Sequence, residues 1–303
     1  MWFRIATRVQ CYELVFLSGL AAVYAIVTGV LGWQLSQITH RHAVCFAPAS
    51  FGGAGCPDAQ ASVAGLDRLA ETVLWAGAAA PLVVGTFLGA GIVAREIESN
   101  NAQLSWSLSV ARVRWFAART LPVAVLAVIL LAAVGVAGEW LQSARLGGAD
   151  PGYVRYQERG IPVVVRGIVI LAAALLVGTW LGRTLPTLIV TVLFVAALFL
   201  GAGSALDSWR RTEGTVVLMG ELTTTPELAS GFVLERLSIL PDGSTSNDRR
   251  VDRLPVGTRF DGVRVLSSAS YWTWIVRETI VGVVATGGMV MATLALLERR
   301  RPV

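Results

Sequence analysis

There is no lysine in this chain. A phosphate loop of the G-x-x-x-x-G-K-[ST] kind needs its lysine to reach the phosphates, so ATP hydrolysis by that route is excluded. Histidine is nearly as scarce. The two that exist, His40 and His42, stand close together in one connection, which argues against imidazole-based catalysis within the apolar runs. Charge is also sparse, at 15% of residues. What fills the chain instead is 54% hydrophobic residues with a mean hydropathy of +0.64, the composition of a multi-span membrane protein. The net charge of +5 comes from arginine alone. Those arginines lie beside apolar runs and form no separate basic domain, so anionic headgroups are the expected partner and nucleic acid is not.

Six runs are long enough for the roughly 30 Å of hydrocarbon that about 20 helical residues cross: 14–35, 72–94, 119–141, 161–182, 186–206 and 272–296. The first continues beyond the apolar core of about 7 to 15 residues found in a signal peptide, so it is expected to stay as a span. Orientation follows from arginine in the short connections. With a cytoplasmic N-terminus, the inner side carries Arg4, Arg8, Arg95, Arg112, Arg114, Arg119, Arg183, Arg299, Arg300 and Arg301. The outer short loops carry Arg41, Arg68, Arg145, Arg155 and Arg159. Both termini are therefore expected inside.

The stretch 207–271 is the one candidate soluble segment. It holds eight arginines against nine acids, β-like pieces such as TVVLMG and DGVRVL, and a PDGS turn, which predict a small mixed cap on the outer face. The expected organisation is thus an all-α membrane protein: residues 1–206 with five spans and a cytoplasmic loop at 95–118, an extracytoplasmic segment at 207–271, and a sixth span with a tail at 272–303. Cys45 and Cys56 share a Gly/Ala/Pro-rich loop on the oxidising side, and a disulfide is their plain reading. A zinc site using His40 and His42 with these two cysteines is the alternative. No resident metal is expected, and Cys11 reads as an inert interfacial residue.

Ionisable residues inside spans are costly and point to function. Arg166 lies one to two turns inside the fourth run, and Arg277 and Glu278 lie as deep in the sixth, all near the outer end. Arg166 and Glu278 can pair across the bundle, or each can reach the headgroups separately. GTFLG at 85–89 and GTWLG at 178–182 repeat a Gly-x-x-x-Gly spacing that suits close helix packing. The N-terminal MWFRIATRVQCYE mixes Trp2, Phe3, Ile5 and Val9 with Arg4, Arg8 and Gln10, the pattern of a helix lying along the inner interface.

The connection GIVAREIESNNAQLSWSLSVARVRWFAAR, 91–119, holds acids, paired asparagines, tryptophans and arginines between two long apolar runs. Asn100 with Gln103 and then Ser109 supply cap signals, which predict two short helices, 101–108 and 110–118. Arg112, Trp115 and Arg119 share a face suited to headgroups. A docking surface with exposed acids and aromatics is one reading, and a solvated loop with an anchored end is the other.

The connection and its flanking spans resemble the second span, cytoplasmic loop and third-span start of ABC export permeases of the actinobacterial type. Arg95, Glu96, Glu98, Leu104, Trp106, Ser109, Arg112, Arg114 and Trp115 match that pattern, while Asn100 and Asn101 replace its usual Gly-Thr. The last run, starting SYWTWIVRETI, is similar to the family's final span at Trp272 and Glu278, without its usual proline. The resemblance implies that the loop carries a coupling helix, and that residues 96–108 rest on a separate ATPase. Arg95, Glu96, Glu98, Leu104, Trp106, Arg112 and Trp115 would then be the coupling residues. It implies two copies of the ATPase, which bind the ATP and Mg, a second permease chain, identical or homologous, and a bacterial cell membrane. This chain itself is expected to hold no cofactor. Few charges lie away from the span ends, so an apolar or amphipathic cargo such as a drug, lipid or lipopeptide is expected. The rival reading is a non-transporting scaffold or sensor whose outer segment binds a ligand or protein.

Overall fold

The computed structural model describes residues 11–41, 57–99, 112–146, 152–220, 225, 228, 231–242, 244–246 and 259–299. Six helices are long and apolar enough to cross a membrane: α1 Cys11–Arg41, α2 Pro57–Glu98, α3 Arg112–Arg145, α4 Gly160–Leu181, α5 Thr184–Glu213 and α6 Tyr271–Arg299. Helices suit this chain because hydrocarbon offers the backbone no partners, and a helix satisfies its own N–H and C=O groups. Most of them overshoot the apolar runs. The 42 residues of α2 span about 63 Å at 1.5 Å per residue, well beyond the hydrocarbon.

Among the described residues, four strands lie between α5 and α6: β1 Thr215–Leu218, β2 Phe232–Ile239, β3 Thr245–Ser246 and β4 Arg259–Leu266. They form one antiparallel sheet in the order β1-β4-β2-β3. TVVLMG and DGVRVL thus supply β1 and the end of β4. At the PDGS turn, the amide and hydroxyl of Ser244 donate to the Asp242 carboxylate at 2.9 and 2.7 Å, which holds that carboxyl below its ordinary range. The sheet seats on the bundle through Phe232, Leu234 and Leu266. These pack with Tyr153, Tyr156, Leu206, Tyr271, Trp274 and Ile275.

The bundle has a sheet end and a terminal end. At the terminal end Glu13 of α1 meets Arg95 of α2 at 2.9 Å, and Arg119 of α3 meets Glu96 at 2.8 Å. At the sheet end Arg145 of α3 meets Asp67 of α2 at 2.7 Å. Arg155, in a left-handed backbone conformation at φ 51, is held by Glu71 and Glu158.

Helix α4 is the most buried of the six, whereas α1, α5 and α6 expose most of their apolar surface. Its closest seam is with α2. A Cβ on Gly89 would come within 2.5 Å of the Ala174 Cβ and 2.8 Å of the Leu171 carbonyl, and one on Gly85 within 2.8 Å of Ile170. The GTFLG spacing is therefore a close-approach surface. GTWLG serves differently. Gly178 sits at ordinary contact distance from Ala94 and Thr187, and Gly182, at φ 66, ends α4 by donating its N–H to the Gly178 carbonyl.

One expected boundary is corrected. Residues 112–118 do not form a separate helix at the headgroups but are the first turns of α3, which runs unbroken through Pro122. Trp115 and Phe116 are buried in the main apolar cluster with Val93, Leu88 and Leu297, so packing carries the segment into the bundle. The predicted helix at 101–108, the interfacial helix before α1, His42 and the Cys45–Cys56 pair lie outside the described residues.

Gly89→Val should lower the unfolding midpoint in detergent, at an overpacking cost of about 1–3 kcal/mol. Gly201→Ala, whose Cβ would meet nothing within 4 Å, should leave it unchanged. Equal midpoints for the two variants would refute the seam.

Candidate functional site

A cavity of about 500 Å³ lies among α2, α4, α5 and α6, within the range of small-molecule sites. Its walls are apolar, with Pro81, Val169, Val195, Phe199 and Ala285 among them, and its polar groups gather at the sheet end. There Arg166 of α4, Asp207 and Arg210 of α5, Glu278 of α6, and Tyr156 and Gln157 of the α3–α4 connection form a roof. Arg166 and Glu278 share this depth because each lies about two turns inside a helix that starts at the sheet end.

The core of the roof is an ion pair. The guanidinium of Arg210 donates to Glu278, to Asp207 at 2.8 Å and to the Tyr156 hydroxyl at 2.6 Å. Tyr156 in turn donates to Glu278 at 3.1 Å. Arg210 is also stacked among the rings of Phe232, Trp274 and Tyr156, at 5.2, 5.5 and 5.7 Å. Its side chain is only 5% exposed, so pairing and ring contact replace the water it gives up. Beside the pair, Arg277 bonds both oxygens of Glu213, at 2.6 and 2.7 Å. It also lies over Trp209 and Trp274 at 4.8 and 5.0 Å. The polar links between α5 and α6 therefore cluster at this one end, above the cavity.

This differs from the expected Arg166–Glu278 pair. Glu278 takes Arg210 as its direct partner, and Arg166 donates to the Gln157 carbonyl at 3.3 Å. The cause is the length of α5. The apolar run stops at 206, but the helix continues two turns to Glu213 and delivers Asp207 and Arg210 to the roof. A signal for this was present: Asp207 and Arg210, three residues apart, form the i,i+3 pair of a continuing helix.

At the terminal end, the residues matched to the coupling loop are engaged within the chain. Glu96 is 6% exposed and paired to Arg119. Glu98 accepts from the backbone N–H and hydroxyl of Thr184, at 3.0 and 2.7 Å, and so caps the start of α5. Arg112 donates to the carbonyls of Leu297 and Glu298, at 2.8 and 2.7 Å, satisfying the end of α6. Arg95 holds Glu13, and Trp115 is buried. Leu104 and Trp106 lie outside the described residues.

In the connection between α3 and α4, Arg159 is buried. It donates to the Val154 and Gly152 carbonyls at 3.0 and 2.6 Å, and to Glu139. Burial pushes the Tyr156 hydroxyl from its ordinary 10.0 up to about 12, with the Glu278 carboxylate adding to the rise. Burial likewise takes Tyr153 to about 12. Tyr156 is thus a protonated donor to Glu278 at any physiological pH.

A family model described as ABC-2 membrane transporter related matches residues 18–206. No curated protein and no solved structure gives a significant match.

Two outcomes follow from the roof. Arg210→Met removes one partner of a buried pair and should cost about 3–5 kcal/mol of stability. Combining it with Glu278→Leu should recover most of that loss, as read from unfolding in detergent. An unaltered midpoint for Arg210→Met would refute the ion-pair roof. The second outcome concerns alkali. Between pH 10 and about 12 the unfolded chain releases tyrosine protons that the folded chain keeps at Tyr153 and Tyr156. Stability should therefore be intact below pH 10 and fall as pH rises through that window. No lysine titrates there to mask it. Tyr153→Phe with Tyr156→Phe should make the fall smaller, as followed by unfolding at stepped pH.

Proposed function

We propose, from the premise that this chain belongs to the ABC-2 membrane transporter related family, that it is the permease subunit of an ATP-driven exporter in a bacterial cell membrane. In this reading both termini and the 95–118 loop face the cytoplasm. A separate ATPase, in two copies, docks on that loop, and a second permease chain completes the translocator. The ATPase partners bind the ATP and Mg, since a chain without lysine has no phosphate-loop lysine of its own.

The observation that carries the proposal is how the loop's ends are tied. Its first arm is bonded to the start of α5 through Glu98 and to α3 through Glu96 and Arg119. Its second arm grips the end of α6 through Arg112. A load that reaches the loop's two arms is therefore passed to four of the six helices, α2, α3, α5 and α6. Packed helices respond to such a load by moving as rigid bodies. Helices α5 and α6 flank the cavity, so a push at the loop is a push on the cavity walls. The apolar walls suit an apolar or amphipathic cargo, which enters from one face and leaves by the other in alternating access.

Leu104→Arg with Trp106→Arg alters the loop without touching the ties described above. An anchor residue at the centre of an interface is worth about 2 kcal/mol or more. Recovery of the co-expressed ATPase with the tagged permease should therefore fall about tenfold or more, while the permease itself stays monodisperse. Full recovery of the ATPase would contradict the assignment. No nucleotide-dependent partner at all would favour a scaffold or sensor.

A further inference from the structure

Charge is not shared evenly across the cavity roof. Two cations and two carboxylates face it, Arg166 and Arg210 with Asp207 and Glu278, which would balance if each cation held one acid. Instead both carboxylates are committed to Arg210. The neighbouring Arg277 has its own acid in Glu213. Arg166 has the Gln157 carbonyl, at the long distance of 3.3 Å, and no carboxylate within ion-pair distance among the described residues. It lines the cavity. A guanidinium offers five donors in a planar fork, and one of them is used. Below it the walls are apolar for the whole depth of the cavity, through Val169, Val195, Phe199 and Ala285.

From this we infer that the cavity binds one amphipathic anion, its oxyanion head on Arg166 and its apolar body among α4, α5 and α6. The inference rests on the permease reading for its meaning as cargo recognition, but the binding site itself does not depend on an ATPase. A guanidinium attracts a carboxylate or a phosphate strongly, because the bond is charge-assisted and the fork matches two oxygens at once. A cationic amphiphile meets the opposite situation: both acids are already held by Arg210. A neutral alcohol of equal length gains the walls and not the head contact. The roof thus sorts ligands by head charge, and the walls select for an apolar body. Arg166 acts here as a binding residue for the ligand's head.

The test uses the full purified chain in a non-ionic detergent and a dansyl-labelled long-chain fatty acid, followed by energy transfer from tryptophan. An unlabelled alkyl carboxylate, alkyl phosphate, alkyl alcohol and alkyl amine of one chain length compete with it. Displacement by the carboxylate and the phosphate should exceed displacement by the alcohol and the amine, and the ratio of the first two separates a fatty-acid head from a phosphate head. Arg166→Gln should weaken binding of both anions about tenfold or more and leave the alcohol unchanged, which a merely structural role would not do. Arg166→Lys should restore part of the anion affinity, and it serves if Arg166→Gln fails to fold. Ala285→Phe, which puts a ring into the apolar part of the cavity, should weaken binding of acid and alcohol alike. Equal affinity for acid, alcohol and amine would overturn the inference, as would acid binding left unchanged by either Arg166→Gln or Ala285→Phe. None of these results depends on recovery of an ATPase, so failure of the anion site is distinguishable from failure of the permease assignment.

Discussion

The contact between Arg210 and Glu278, with Arg277 on Glu213 beside it, ties α5 directly to α6 at a point where both members of the pair are largely buried and neither charge tolerates isolation. Arg210 is surrounded by Asp207, the Tyr156 hydroxyl and three aromatic rings. The pair is therefore a junction of α5, α6, the α3–α4 connection and the sheet. Remove it and the sheet loses the polar centre beneath Phe232, the cavity loses its roof, and Tyr156 loses both of its charged partners. The polar links between these helices are confined to one end, where they close the top of the cavity, and lower down both helices pack into the apolar cluster of Val195, Phe199, Ala285 and Met289.

The terminal end is built on the same rule with different partners. Here the acids and arginines do not enclose a cavity; they bind helix ends to one another. Glu98 on Thr184 and Arg112 on the last carbonyls of α6 satisfy backbone groups that would otherwise be orphaned at helix termini. Between the two ends runs the seam of α2 and α4, where Gly85 and Gly89 let Ile170, Leu171 and Ala174 of α4 come close to the α2 backbone. The proposed coupling would run along this seam, from the polar junction at the loop end to the one above the cavity.

Much of this was legible in the sequence, because hydrocarbon imposes a simple requirement. The six runs, the depth shared by Arg166 and Glu278 and the β-like pieces of the cap all follow from apolar length, residue pattern and charge position. What escaped was set by tertiary contact. Helix α5 outlives its apolar run because Arg210 is satisfied by Glu278 and by rings from three other segments, none of which is near it in sequence. Trp115 looked like a headgroup residue on helical spacing, yet it turns into the core because Val93 and Leu88 wait there. Glu96 read as an exposed acid and is buried on Arg119, whereas Glu98 is exposed as read, and its bond to Thr184 became evident only once the helices were assembled.

The most direct measurement is the separation of α5 and α6 in the working complex. Spin labels at Ser204 on α5 and Val283 on α6, both exposed, with Cys11, Cys45 and Cys56 replaced, report that separation by pulsed dipolar spectroscopy. Rigid-body transmission from the loop predicts a distance distribution that shifts by a few ångströms between nucleotide-free and nucleotide-trapped complexes. A distribution that stays the same in every nucleotide state would contradict it.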